Sequence, residues 1–152
     1  MASITMSYLI CSVGLIVLIL VMPYFFSIER DSTAEQMAIR ELTEISDYTS
    51  NTLENLYFLA SSTNSATLTV SKDMIYLPLT VQDSFYTLSI TSDGENATKV
   101  TAILNGKSIA GESWLIPGLK LTDDVSIDIS KQSVTAYCQR NSTGFHVWLG
   151  GS

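Results

Sequence analysis

The chain has 152 residues, with 15 acidic and 8 basic side chains and a formal net charge of −7 at pH 7. This acidic balance, with no cluster of Lys and Arg, argues against a nucleic-acid partner. The sequence has a single histidine and no nucleotide-binding loop, paired metal-binding cysteines or His-Glu motif, which argues against an enzyme. We therefore expect no catalytic residues, no metal and no cofactor.

The N-terminal segment is apolar. No residue from Met1 to Ile28 is charged, and Leu, Ile, Val, Met and aromatic residues dominate from Tyr8 onward. As a helix, the span at about 7–28 would be roughly 30 Å long, which matches the hydrocarbon core of a bilayer. A secretory signal would need a basic start and a small-residue cleavage site, so we expect the segment to be retained. The residues expected to contact lipid or other copies are Tyr8, Leu9, Leu15, Leu18, Val21, Pro23 and Phe25.

The orientation of this span is indicated by modification signals rather than by charge. Arg30 is the only basic residue nearby, and Glu29 and Asp31 flank it, so the positive-inside rule gives no direction. Two N-glycosylation sequons, at Asn96 and Asn141, lie downstream of the span. They favour a C-terminal domain outside the membrane and are candidate glycosylation sites.

An amphipathic helix is predicted at about 29–62. Apolar residues recur at steps of three and four, which places them on one helix face. This stripe consists of Ala38, Leu42, Ile45, Thr49, Leu53, Leu56 and Ala60. It can pack on the protein's own globular domain, and it can also pack against copies of the chain.

The junction of the two helical segments favours one continuous helix. The string STAE, from Ser32 to Glu35, is a capping-box pattern that would start a separate helix. However, no Gly or Pro lies between Ser27 and Gln36, so nothing in the backbone forces a break. A local bend is expected at Pro23 instead.

A β domain is predicted over 63–152, because the apolar period changes there from about 3.6 to 2. Strands are expected at 66–70, 74–80, 84–91, 98–104, 125–130, 133–138 and 145–149. Asn105-Gly106 predicts a type I′ hairpin, and Pro78 predicts an edge or bulged strand. The fold class is therefore α+β: a long N-terminal helix followed by an antiparallel sandwich-like domain or a curled sheet.

Isolated polar residues give no convincing site. His146 fits one position of a half-exposed strand better than a catalytic base. Asp123, Asp124 and Asp128, with Glu112, lack the spacing of a calcium loop and are better explained as a solvated turn.

Tryptophans and cysteines also have structural interpretations. We expect Trp114 and Trp148 to be core or interface residues rather than a sugar platform. Cys11 and Cys138 should occupy different phases and not pair. Cys138 is either a small buried residue or an intermolecular thiol.

The layout of the whole chain resembles that of type IV pilins, and in particular archaeal pilin-like proteins. Three stretches carry the resemblance: SYLICSVGLIVLILVMPYFF (7–26), the stripe over 38–60, and YLPLTVQDSFYTLSI (76–90). The resemblance implies that a prepilin peptidase trims a leader and that the precursor waits in the membrane. A pilus assembly platform then extracts it into an extracellular homopolymer, whose core is the apolar helix.

Two features depart from the family pattern. No Lys/Arg-Gly leader precedes the helix, as expected of a mature or leaderless form or of a protein that is never processed. Thr5 and Met6 occupy the region where many pilins have an acidic residue. The alternative is a permanently anchored β-sandwich protein that binds envelope or surface-layer components, similar to stator-type proteins of the archaellum. A monomer or small oligomer that stays in lipid would favour this alternative, whereas a helix-packed polymer would favour the pilin.

Overall fold

The structure is a computed structural model that describes residues 2–94, 96–122, 126–130 and 133–151. It divides into two compact units, Met1–Gln36 and Met37–Ser152. The second unit contains both the sheet and the latter part of the helix. The predicted boundary at 62/63 instead follows the change of secondary structure.

One helix, α1, runs from Ala2 to Ser62. The predicted long N-terminal helix followed by a β domain is therefore confirmed. Ser32 to Glu35 lie within α1, so the capping-box pattern does not start a new helix. Nearby, the Thr33 hydroxyl donates to the carbonyl of Glu29 at 2.8 Å, a bond within the same helix. Pro23 also lies inside α1.

The described part of the second unit contains eight strands in one sheet. They are β1 (Leu68–Asp73), β2 (Tyr86–Asp93), β3 (Asn96–Leu104), β4 (Ala110–Trp114), β5 (Leu119–Leu121), β6 (Ser126–Asp128), β7 (Val134–Asn141) and β8 (Gly144–Gly151). Their order is β1-β7-β8-β5-β3-β2-β6, and β4 pairs with β3 beside this path.

The sheet is mixed, which corrects the expectation of a purely antiparallel domain. Strand β5 pairs in parallel with β8, with Leu119 opposite Phe145 and Leu121 opposite Val147. The same strand meets β3 through Lys120 and Asn96 in antiparallel register. Local sequence does not encode this pairing, because β5 joins strands that are distant in the chain.

The sheet curls on itself. Strand β8 lies close to β2 and β6, although it is hydrogen-bonded to neither. In a flat sheet of this order, with neighbouring strands about 4.8 Å apart, β8 would be well separated from β2 and β6. A curled sheet was one of the two expected forms, and the sandwich stays a prediction.

The predicted strand at 74–80 is wrong. The segment is irregular, because Pro78 has no amide proton to donate to a ladder. The Pro78 carbonyl instead accepts a hydrogen bond from the Tyr86 hydroxyl at 2.7 Å. A tight turn follows, in which Gln82 and Asp83 have φ values of 48° and 58°.

The Asn105-Gly106 turn joins β3 and β4 as expected, but it is not type I′. Only Gly106 has a positive φ, of 81°. The Asn105 amide donates to the carbonyl of Phe85 at 2.9 Å, which extends the β2–β3 ladder by one residue. Type I′ requires a positive φ at Asn105 as well as at Gly106.

The amphipathic stripe of α1 forms one wall of the core. Every one of its seven residues is at most 5% exposed. Six of these side chains, all except Thr49, share a single apolar cluster with residues of the sheet, among them Tyr86, Leu88 and Val147. Burial of this stripe and of the inner sheet face supplies the main driving force for folding the second unit.

Strand β4 lies directly against the helix backbone. A Cβ placed on Gly111 would lie 2.2 Å from the backbone nitrogen of Thr43. The Ser46 hydroxyl donates to the Gly111 carbonyl at 3.0 Å, and the Ser50 hydroxyl donates to the Trp114 carbonyl at 2.9 Å. Two serines one helical turn apart thus bond strand β4 to the helix.

We expect Gly111→Ala to destabilise the second unit by about 3 kcal/mol or more, because the added methyl group would overlap the helix backbone. Gly14→Ala is the matched control, since a Cβ there meets no atom within 4 Å. Urea unfolding followed by tryptophan fluorescence would measure both. Equal midpoints for the two variants would contradict the close contact.

Candidate functional site

The first unit presents a continuous apolar surface. Its large apolar side chains between Tyr8 and Ile28 are 42 to 78% exposed. By length and composition, this part of the helix could span a membrane. All seven predicted contact residues lie on it in exposed positions: Tyr8, Leu9, Leu15, Leu18, Val21, Pro23 and Phe25.

The two serine hydroxyls on this surface are satisfied within the helix. The Ser12 hydroxyl donates to the Leu9 carbonyl at 2.9 Å, and the Ser27 hydroxyl donates to the Tyr24 carbonyl at 2.8 Å. In hydrocarbon an unsatisfied hydroxyl would cost several kcal/mol. The surface is therefore chemically suited to lipid and to the apolar face of another helix.

A groove lies in the second unit between the helix and the irregular segment 74–80. Its volume is about 310 Å³. Its walls are formed by Glu41, Glu44, Ile45, Tyr48, Tyr76, Leu77, Pro78 and Thr80. The rings of Tyr48 and Tyr76 meet edge to face, with 6.5 Å between their centroids. Sequence reasoning missed this groove because it assigned its outer wall to a strand.

The two tryptophans have different environments. Trp148 is half-buried and stacks on Tyr137, with ring centroids 5.1 Å apart. Trp114 is 72% exposed on β4, so it is not a core residue. Its cross-strand partner is Lys99, whose ammonium group donates to Glu112 at 2.7 Å. The interface interpretation of Trp114 stays a prediction.

Of the remaining candidate polar residues, His146, Glu112 and Asp128 have structural partners. His146 is half-buried on β8, and its Nε2 lies 3.0 Å from the Thr143 hydroxyl. Asp123 and Asp124 lie outside the described residues. Among those described, no group of three or more His, Cys, Asp or Glu residues could hold a metal ion.

The sequons lie on the β domain. Asn96 is exposed at the start of β3, and Asn141 is half-buried at the end of β7. The Asn141 side-chain oxygen accepts from the amide and the hydroxyl of Thr143, at 2.9 and 2.6 Å. Glycosylation of either residue stays a prediction.

Cys138 is fully buried on β7, whereas Cys11 is exposed on the apolar helix. Burial raises the pKa of the Cys138 thiol to about 11. Burial also raises the pKa of the Tyr86 phenol. Of the two interpretations of Cys138, its position favours the small buried residue.

Comparisons of the chain with protein-family models, with curated proteins and with solved structures find no match.

We expect the second unit to lose stability as the pH rises from about 9 to 11. The folded state holds the Cys138 thiol protonated above its ordinary pKa, so the stabilisation is complete below pH 9 and is lost through pH 11. Urea midpoints at pH 8, 9, 10 and 11 would measure this, with Cys138→Val as the variant that lacks the titrating group. An identical pH dependence in the variant would contradict the assignment to Cys138.

Proposed function

We propose that the chain is the structural subunit of an extracellular type IV pilus-like filament, assembled through its apolar helix. The observation that carries the proposal is the surface from Tyr8 to Ile28, which is helical, uncharged and exposed. A soluble monomer does not keep such a surface in water. Either lipid or other copies of the chain must cover it.

The apolar surface suits both stages of a filament's life. Moving roughly twenty apolar side chains out of water contributes on the order of 30 kcal/mol or more per copy. Lipid tails supply this contribution before assembly, and neighbouring helices supply it afterwards. Because lipid is as apolar as leucine, helices leave it only when they pack well together or when work is done on them. The resemblance assigns that work to the assembly platform.

The second unit fits the role of an outer wall. Its own helical stripe covers its core, so folding does not require a second copy. Its surface carries both sequons, as a domain outside the membrane would. Its exposed charged and polar residues do not take part in the apolar helix contacts, so changes there should be tolerated.

A permanently anchored protein that binds envelope or surface-layer components is the second candidate. The match in length between Tyr8–Ile28 and a bilayer favours it, because this span alone would hold the β domain at the membrane. The two functions differ in what covers the apolar helix in the protein's final state. An anchored protein keeps its lipid, whereas a filament subunit exchanges lipid for copies of itself.

We expect Leu15→Asp and Leu18→Asp to abolish filaments while the protein stays in the membrane. A carboxylate near the centre of a span costs about 2.5–3.5 kcal/mol, which the rest of the apolar run offsets during insertion. In a dry helical core, the same charge would be buried without a partner. Electron microscopy of sheared cell-surface material and fractionation of the cells would measure the two effects.

Lys107→Asp is the control for this experiment, because Lys107 is exposed on the turn between β3 and β4. It changes the charge outside the helix by two units, against one unit for Leu15→Asp, and should leave filaments intact. Normal filaments from Leu15→Asp would contradict the helical-core model. Wild-type protein found only in the membrane fraction would instead favour the anchored protein.

A further inference from the structure

Trp114 has the properties of an interface anchor. It is 72% exposed, yet its backbone is held on two sides. Its carbonyl accepts from the Ser50 hydroxyl at 2.9 Å, and the amide of the next residue, Leu115, donates to the Thr98 carbonyl at 2.9 Å. A large aromatic side chain on a fixed backbone loses little conformational entropy on binding, and tryptophan is enriched among residues that dominate interface energy.

The groove beside Tyr48 and Tyr76 has the properties of a receptor for such an anchor. Its volume is about 310 Å³, and an apolar cavity of about 150 Å³ already accommodates benzene. Ile45, only 5% exposed, contributes an apolar wall. The Tyr86 hydroxyl holds Pro78 in place at 2.7 Å. An indole ring entering this groove would meet two aromatic rings and a preformed apolar surface.

The anchor and the groove lie on opposite sides of the helix within the second unit. Ser50 faces β4 and Trp114, whereas Tyr48 faces the groove. Two positions apart on an α-helix correspond to about 160° around its axis. A copy therefore does not place its own Trp114 in its own groove. Complementary features on opposite sides of one subunit make head-to-tail contacts, which generate open polymers.

The charges beside the anchor are balanced. Lys99 stands opposite Trp114 in the β3–β4 ladder and forms an ion pair with Glu112 at 2.7 Å, in which the lysine side chain is 26% exposed and the glutamate side chain 46%. The groove carries Glu41 and Glu44 on its helical wall. Glu44 is 3.9 Å from Arg40, and Glu41 accepts from the Gln82 amide at 3.3 Å. A neighbouring copy would thus bring a neutral pair to this rim, so charge does not oppose the contact.

We propose that Trp114 of one copy inserts into the groove formed by Tyr48 and Tyr76 of the next copy, as a lateral contact between β domains. This inference rests on the proposed filament, because it assigns a second interface to the same polymer. The contact is heterologous and is separate from the packing of the apolar helices.

Photocrosslinking tests the contact directly. Trp114 is replaced by p-benzoylphenylalanine in the full chain, and a mixture of isotopically light and heavy copies is irradiated in sheared filaments. We expect crosslinked peptides between copies that contain residues 41–48 or 76–80. The same probe at Phe58, which is 58% exposed elsewhere on the helix, is the control and should not reach the groove.

Mutation of each side tests the contribution of the contact. Trp114→Ala removes the anchor, and Thr80→Trp fills the groove at an exposed position. Loss of a dominant interface tryptophan weakens a contact about thirtyfold, so we expect at least about tenfold fewer filaments from either variant. Phe58→Ala should leave the yield unchanged. Thermal unfolding of each variant separates loss of contact from loss of fold.

The outcomes separate this contact from the filament itself. Normal filaments from Trp114→Ala, or crosslinks to other surfaces of the chain, to a different protein or to a glycan, would overturn the contact and leave the helical core standing. If the wild-type chain forms no filaments, the proposed function fails. The same crosslinking in the membrane fraction then decides the contact: crosslinks to the groove support it, and their absence overturns it.

Discussion

The apolar surface from Tyr8 to Ile28 must be kept out of water, and both proposed functions depend on this constraint. The surface is long enough for a bilayer, lacks charge and has both of its serine hydroxyls bonded within the helix. It therefore needs a non-aqueous environment but does not specify which one. A subunit that passes from lipid to a polymer can bury the same side chains in both surroundings, because both are apolar.

In the second unit, the rest of the same helix packs against the sheet. Gly111 lets β4 approach the helix backbone, and the hydroxyls of Ser46 and Ser50 donate to the Gly111 and Trp114 carbonyls of β4. The apolar stripe then closes the core of a curled, mixed sheet. The domain is thus complete within one copy, which leaves its outer features, Trp114 and the groove, available for other contacts.

Local pattern predicted the helix and its stripe, because both depend on spacing along one element. Non-local contacts decided the rest. The parallel pairing of β5 with β8 joins strands far apart in the chain. Strand β4 was missed because Ala-Gly-Glu-Ser-Trp has no β-branched residue, and its place depends on contact with the helix. The groove could not be predicted, because its outer wall is a loop whose sequence has the pattern of a strand.

Cryo-electron microscopy of material sheared from cells that make this chain would show whether its apolar helix forms the core of a filament. Mass spectrometry would identify the subunit. We expect a helical polymer of this chain, in which residues from Tyr8 to Ile28 pack against their copies at the axis and the β domains lie outside. A chain found only in the membrane fraction, as a monomer or small complex with its span still in lipid, would contradict it.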